Sequence, residues 1–302
     1  MPQILNVFYS VIAPIALIAV LGFVMDRRFA IETRSLSQVV IYLAGPALVF
    51  SSISHSRLQA AEFGQLVLFT VLVMGLLAVI SWALARLLRL EQKLASAFTL
   101  SSTLINAGNF GLPFIAFAFG EEGLSRAVII FTATSIVANT LGVFLASRGS
   151  GPVRQSLANV LKVPLPYAVL AGLLANSGLL AVPLPLDRGL SLLGDSAVPL
   201  MLVVLGAQLA RTRLDSQLRL VALASGVKII LTPLLGIAVA RLLLLSGPTA
   251  SISIIQTSMP TAVISIVLAE EFGSDTRFVS SVVMVSTLAS FLSLSILLNL
   301  LG

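Results

Sequence analysis

Residues 102–114 read STLINAGNFGLPF, and they interrupt an apolar run extending from 94 to 119. The run is long enough for a helix that spans a bilayer, which takes about 20 residues. Its middle does not suit a continuous helix. Gly108 and Gly111 each weaken a helix by about 1 kcal/mol relative to Ala. Pro113 lacks a backbone donor and clashes with the preceding turn. A second stretch, SIIQTSMPTAVIS at 253–265, interrupts the run 249–269 in the same way, with Pro260 at its centre. A break at bilayer depth frees N–H and C=O groups. Such backbone survives only where protein buries it or a watery cavity meets it. The two knots therefore mark a polar site between packed helices.

The rest of the chain agrees with a membrane setting. Of 302 residues, 58% are hydrophobic and 10% are charged. A soluble domain carries about 25% charged residues, so this chain has too little charge to cover a water-facing surface. Barrel strands would alternate apolar and polar residues over about ten positions, and the runs here do not. With no cysteine, disulfides and thiol chemistry are excluded. The net charge of +6 is scattered through short connections. It is read as topological, and no nucleic-acid partner is expected. The start, MPQILNVFYS, lacks a basic region, so the first run is expected to be a retained helix.

Ten apolar segments are predicted: 4–25, 35–54, 65–88, 94–119, 124–146, 165–182, 189–209, 218–245, 249–269 and 277–300. The longest connection, RGSGPVRQSLANVLKVPLP, starts at Arg148 and falls at the midpoint. The expected division is a first five-helix repeat over 1–147, a linker over 148–164 and a second repeat over 165–302. The odd connections among the first eight hold Arg27, Arg28, Arg34, Arg86, Arg89, Lys93, Arg148, Arg154, Lys162, Arg211, Arg213 and Arg219. The even ones hold Arg57, Arg126, Arg188 and Arg241. That bias predicts a cytoplasmic linker and both termini outside, in a cell inner membrane.

The halves echo each other. Pro46 of LAGPALVF matches Pro199 of DSAVPLML, and Arg86 of ALARLL matches Arg241 of AVARLL. Glu121 and Arg126 of GEEGLSR match Glu270 and Arg277 of AEEFGSDTR. The separations are 153, 155, 149 and 151 residues. Five helices is an odd number, so the second copy must lie upside down. That is an inverted-topology repeat. Segments four and nine then hold equivalent places, and both are broken.

A half-helix N-terminus offers free N–H groups and a positive dipole end, which suit an anion. The preceding half-helix offers carbonyls, which suit a cation. Asn106 and Asn109 are three residues apart and can share a face; Gln256, Thr257 and Ser258 are the polar groups of the other knot. The blander reading is that these residues only join helices. Two further ionisable residues fall inside segments. Lys228, in SGVKIILTP, is a counter-charge for an anion, a tethered stand-in for a coupling cation, or a side chain that snorkels to an interface. Asp195 is a proton carrier, a partner for Lys228, or a helix-end acid. Neither has a charged counterpart near Gly75 or Tyr42. His55, Glu121, Glu122, Glu270 and Glu271 are read as solvated loop residues.

These features resemble the auxin efflux carrier family, whose fold is similar to that of the bile acid/sodium symporters. The match rests on ten helices in two inverted sets and on NAGNFGLP in the fourth. The resemblance implies an all-α polytopic membrane protein with crossed, Pro-broken helices 4 and 9. It implies a scaffold of helices 1, 2, 6 and 7, a transport domain of helices 3–5 and 8–10, elevator-type movement and a homodimer. It places the crossing at Asn106, Asn109, Gly111, Pro113 and Pro260, with Asn139 of IVANTLGVF nearby. The symporters' sodium-site carboxylate is absent from the ninth helix, where Gln256 stands. The expectation is a carrier of a small organic anion, a mono- or dicarboxylate, in the lipid bilayer. It is not an enzyme and has no cofactor or metal, and the coupling ion is left between proton and sodium. Alternatives are an exporter of indole acids, or a membrane sensor on a transporter-like fold.

Overall fold

The computed structural model describes residues 6–56, 60–146, 163–212, 214 and 217–301. Most of the linker, with Arg148, Arg154 and Lys162, lies outside the described residues, as do Arg57 and Arg213. The described residues are helical, apart from turns and a single isolated bridge between Ile105 and Thr261. In chain order the helices are α1 Phe8–Phe29, α2 Thr33–Ser54, α3 Ala60–Leu87, α4 Gln92–Thr103 and α5 Ala107–Ala146. There follow α6 Leu165–Asn176, α7 Leu184–Arg211, α8 Leu218–Leu242, α9 Gly247–Thr257, α10 Ile264–Glu271 and α11 Thr276–Leu301. Seven of these, among the described residues, are long and apolar enough to cross a membrane.

Proline shapes several of them. Pro14, Pro46, Pro113 and Pro233 each follow a widened turn, closed by an N–H reaching back five residues. Ala13 donates to Phe8, Gly45 to Val40, Leu112 to Ala107 and Thr232 to Val227. A proline ring crowds the carbonyl four residues back, and the wider turn relieves that crowding. Such turns recur at functional sites.

The connection GEEGLSR, expected as a loop, is helical except at one residue. Gly120 has φ 65° and ψ −158° and turns the chain between two helical stretches of α5. Only glycine adopts that conformation freely. Glu121 and Glu122 therefore open a helix, and Glu122 pairs with Arg126 at 3.2 Å. His55 ends α2, where Nδ1 sits 2.9 Å from the Ser51 carbonyl and Nε2 sits 3.4 Å from Asp187.

Small residues set the closest packing. A side chain on Gly206 of α7 would strike the backbone of Ala19 in α1, and one on Gly22 would strike that of Val203. Membrane helices associate largely through such contacts. At one end of this pair Arg211 grips Asp26 with Nε at 3.1 Å and Nη2 at 2.7 Å, and also bonds the Ile31 carbonyl. α2 lies against α6 and the first half of α7. α3 packs on α4, α5 and α8, while α11 packs on α4 and α8.

Candidate functional site

The two knots meet. α4 stops at Thr103, Leu104 is extended (φ −74°, ψ 135°), and α5 begins at Ala107. α9 stops at Thr257, and α10 begins at Ile264. With 12 and 11 residues, α4 and α9 are half the length that spans a bilayer. Between them the unwound segments run antiparallel. Asn106 N–H donates to the Pro260 carbonyl at 2.8 Å, and Ala262 N–H donates to the Leu104 carbonyl at 3.1 Å. Each break thus supplies backbone partners to the other, as buried backbone at this depth requires.

Side chains complete the bonding. Thr261 Oγ1 donates to the Ser101 carbonyl at 2.8 Å, and Thr261 N–H to Ser286 Oγ at 3.1 Å. Gln256 Nε2 donates to the Ala107 carbonyl at 2.9 Å. Thr257 and Ser258 return their hydroxyls to Ser253 and Ile254 of their own helix, at 2.9 and 2.6 Å. Gly111 keeps this brace possible: a Cβ there would lie 2.7 Å from Gln256 Oε1 and 2.9 Å from Nε2. Pro113 follows the widened turn, where Leu112 N–H already serves the Ala107 and Gly108 carbonyls, so its missing N–H is accommodated.

The first knot also opens outward. Gly108 and Asn109 are half-buried, and Asn109 Nδ2 stands 3.5 Å from Gln208 Oε1 of α7. Gln208 escaped the sequence reading. Its signal was available, since it is a lone amide in the apolar run LMLVVLGAQLA. Asn106 Nδ2 is buried without a hydrogen-bond partner, as is Gln256 Oε1. The first turn of α5 leaves N–H groups without intrahelical acceptors. An anionic group on this side of the crossing would meet donors and a positive dipole end.

Lys228 occupies the opposite side. It is 0% exposed, in the widened turn of α8, and Nζ donates to the Thr103 carbonyl at 3.3 Å. It does not snorkel. Asp195 is elsewhere, exposed at the bend of α7. It lines a cavity of about 670 Å³ with Ser51, His55, Glu121, Ser125 and Arg126. Lys228 and Asp195 form no ion pair with each other. Asn139 also stands apart, donating to the Ser135 carbonyl of its own helix at 2.8 Å and lining a small void beside Leu165 and Pro166.

The sequence matches the membrane transport protein family over residues 7–159 and 153–298. An uncharacterized transporter of Methanothermobacter thermautotrophicus is 29% identical over 265 residues, which cover 87% of each chain. An uncharacterized transporter of Methanocaldococcus jannaschii is 28% identical over 293 residues, 93% of this chain and 95% of the relative.

Proposed function

The chain belongs to the membrane transport protein family, whose members are auxin efflux carrier-like transporters, and we propose that it is a secondary carrier of a small organic anion, a mono- or dicarboxylate. The crossing carries this reading. Two helices broken at matching places exchange backbone bonds between Asn106 and Pro260 and between Leu104 and Ala262. That arrangement has the form of a carrier site in which half-helix ends receive the cargo. The anion sits at the start of α5, held by Asn106, Asn109 and free N–H groups, with Gln208 across from it. Gln256, Thr257, Ser258 and Pro260 hold the shape behind it.

Alternating access follows from the same reading. α4 with the first stretch of α5 makes a fourth span, and α9 with α10 makes a ninth, giving ten spans in two inverted sets of five. Pro14 and Pro166, 152 residues apart, add a landmark at the same offset. α1, α2, α6 and α7 form the scaffold, and the remaining helices carry the crossing past it in an elevator movement. Both termini lie outside the cytoplasm in the inner membrane, and two copies pair through their scaffolds. The test is flux into liposomes holding the purified protein, across a panel of mono- and dicarboxylates. Saturable uptake or exchange of at least one is expected, and Pro113→Ala should lose it while still inserting. No flux for any of the panel overturns the anion assignment.

A further inference from the structure

Another cavity, of about 500 Å³, lies at the end of α4 away from the crossing. Trp82, Arg86, Gln92, Ser96, Thr99 and Phe144 are among its walls. Its described lining comes from α3, α4, α5 and the connection between the first two, with nothing from α1, α2, α6 or α7. Ser96 and Thr99 are buried, and their hydroxyls donate to the Leu145 and Ala95 carbonyls, both at 2.8 Å. Arg86 and Gln92 are exposed at the helix ends. The cavity is thus amphipathic: cationic where α3 ends and α4 begins, apolar one to two turns deeper. Trp82 and Phe144 are 53% and 45% exposed, so its walls reach the surface that meets lipid. Arg86 Cζ stands 5.5 Å from the Trp82 ring, and Trp is enriched at the membrane–water interface.

The charge at this corner is not what closes the helix. α3 ends in a turn with Leu90 N–H on the Ala85 carbonyl at 3.1 Å and Arg89 N–H on that of Arg86 at 3.0 Å. Arg89 is left-handed there, at φ 50°, a position glycine usually takes. α8 ends in the same turn. Leu245 N–H meets the Ala240 carbonyl at 2.9 Å, Leu244 N–H meets that of Arg241 at 3.2 Å, and Leu244 has φ 57°. Counted from the shared arginine, Trp82, Arg89 and Lys93 become Ile237, Leu244 and Pro248. The end of α8 closes with leucine where α3 spends an arginine. Over 86–93 three basic residues accompany one acid, Glu91. Among the described residues, none of Arg86, Arg89 and Lys93 pairs with a carboxylate.

We propose that this cavity binds an anionic phospholipid, with the phosphate at Arg86, Arg89 and Lys93 close by, and an acyl chain between Trp82 and Phe144. The first turn of α4, which has no side-chain cap, adds N–H donors. A free phosphate or a small carboxylate would leave the apolar part of the cavity empty; a lipid fills both parts. On the topology proposed above, this end of α3 faces the cytoplasmic leaflet, where basic pockets between membrane helices take anionic headgroups. The site is independent of the cargo at the crossing.

The test uses the purified protein in neutral detergent. The probes are phosphatidylglycerol, phosphatidylcholine with the same acyl chains, and inorganic phosphate. Native mass spectrometry should show phosphatidylglycerol retained in preference to phosphatidylcholine, and phosphatidylglycerol alone should raise the melting temperature. Arg86→Gln combined with Arg89→Gln should bind it about thirtyfold more weakly and lose the rise. Arg28→Gln combined with Arg34→Gln, which removes equal charge from another connection, should keep both. A phosphatidylglycerol with a photoreactive acyl chain should label the wild type at peptides containing Trp82 or Phe144, a readout that needs no variant. Equal retention of phosphatidylcholine would mean apolar filling alone, and a rise with inorganic phosphate would mean a free-anion site. Equal loss in both double variants would mean diffuse charge. Each of these, or labelling that spares both peptides, overturns the proposal.

Discussion

The segment 102–114 leaves Gly108 and Asn109 half-buried beside Gln208, whereas in the segment 253–265 Gln256, Thr257 and Thr261 are 0% exposed. Both are Pro-containing breaks in apolar runs. The second spends its polar side chains on backbone carbonyls: Ala107 from Gln256, Ser101 from Thr261, Ser253 from Thr257. The first keeps an amide donor, Asn106 Nδ2, without a partner, where the second leaves an amide acceptor, Gln256 Oε1. In the proposed carrier site, one break presents groups to a ligand, and the other holds it in shape.

Substitutions can break that division, and their effects on stability should fall in a definite order. Gly111→Val drives a branched side chain into the Gln256 amide, which a Cβ alone would meet at 2.7 Å. Overpacking of this kind costs about 1–3 kcal/mol. A clear drop in melting temperature in detergent and loss of flux are expected. Gln256→Leu keeps the volume but deletes the donor to Ala107. That carbonyl still receives Leu112 N–H, so the loss should be about 1–2 kcal/mol. Flux should fall with it, because the presenting segment loses its brace. Unchanged melting would mean that Gln256 braces nothing.

Thr261→Val removes the hydroxyl bond to Ser101 and spares the N–H bond to Ser286. About 0.6 kcal/mol is the average for such a bond between membrane helices, with a correspondingly small shift in melting. Asn109→Ala is the mildest for the fold, within about 0.5 kcal/mol, because its one contact is long. Its flux should nevertheless fall about tenfold or more, the equivalent of about 1.4 kcal/mol of lost binding. Normal melting with lost flux marks a presenting residue. Lost melting with lost flux marks a bracing one.

Much of this was legible in the sequence. The helical class follows from apolar runs, and both breaks follow from Gly108, Gly111, Pro113 and Pro260. The meeting of the breaks was expected from the family resemblance. What the sequence hid is direction. Asn106 and Gln256 look alike as buried amides, but which carbonyl each meets depends on how two unwound segments cross. Lys228 could point to either interface or inward, and only packing decides that it ends on Thr103. Asp195 was open between a proton carrier, a partner for Lys228 and a helix-end acid, and the bend of α7 before Pro199 leaves it exposed, as the last of these requires. Glu121 and Glu122 passed as loop residues because periodicity cannot register a helix that restarts straight after a break at a single positive-φ glycine, Gly120.

The chain has no cysteine, so single-cysteine variants report accessibility without background. The decisive measurement is the labelling rate of Asn109→Cys and Gln256→Cys in membranes by a charged maleimide, with and without the transported carboxylate. Asn109→Cys should react, and the carboxylate should protect it, while Gln256→Cys stays unreactive in both conditions. Equal labelling of the two positions, or labelling of Asn109→Cys that the carboxylate leaves unchanged, would contradict a substrate site on the presenting side of the crossing.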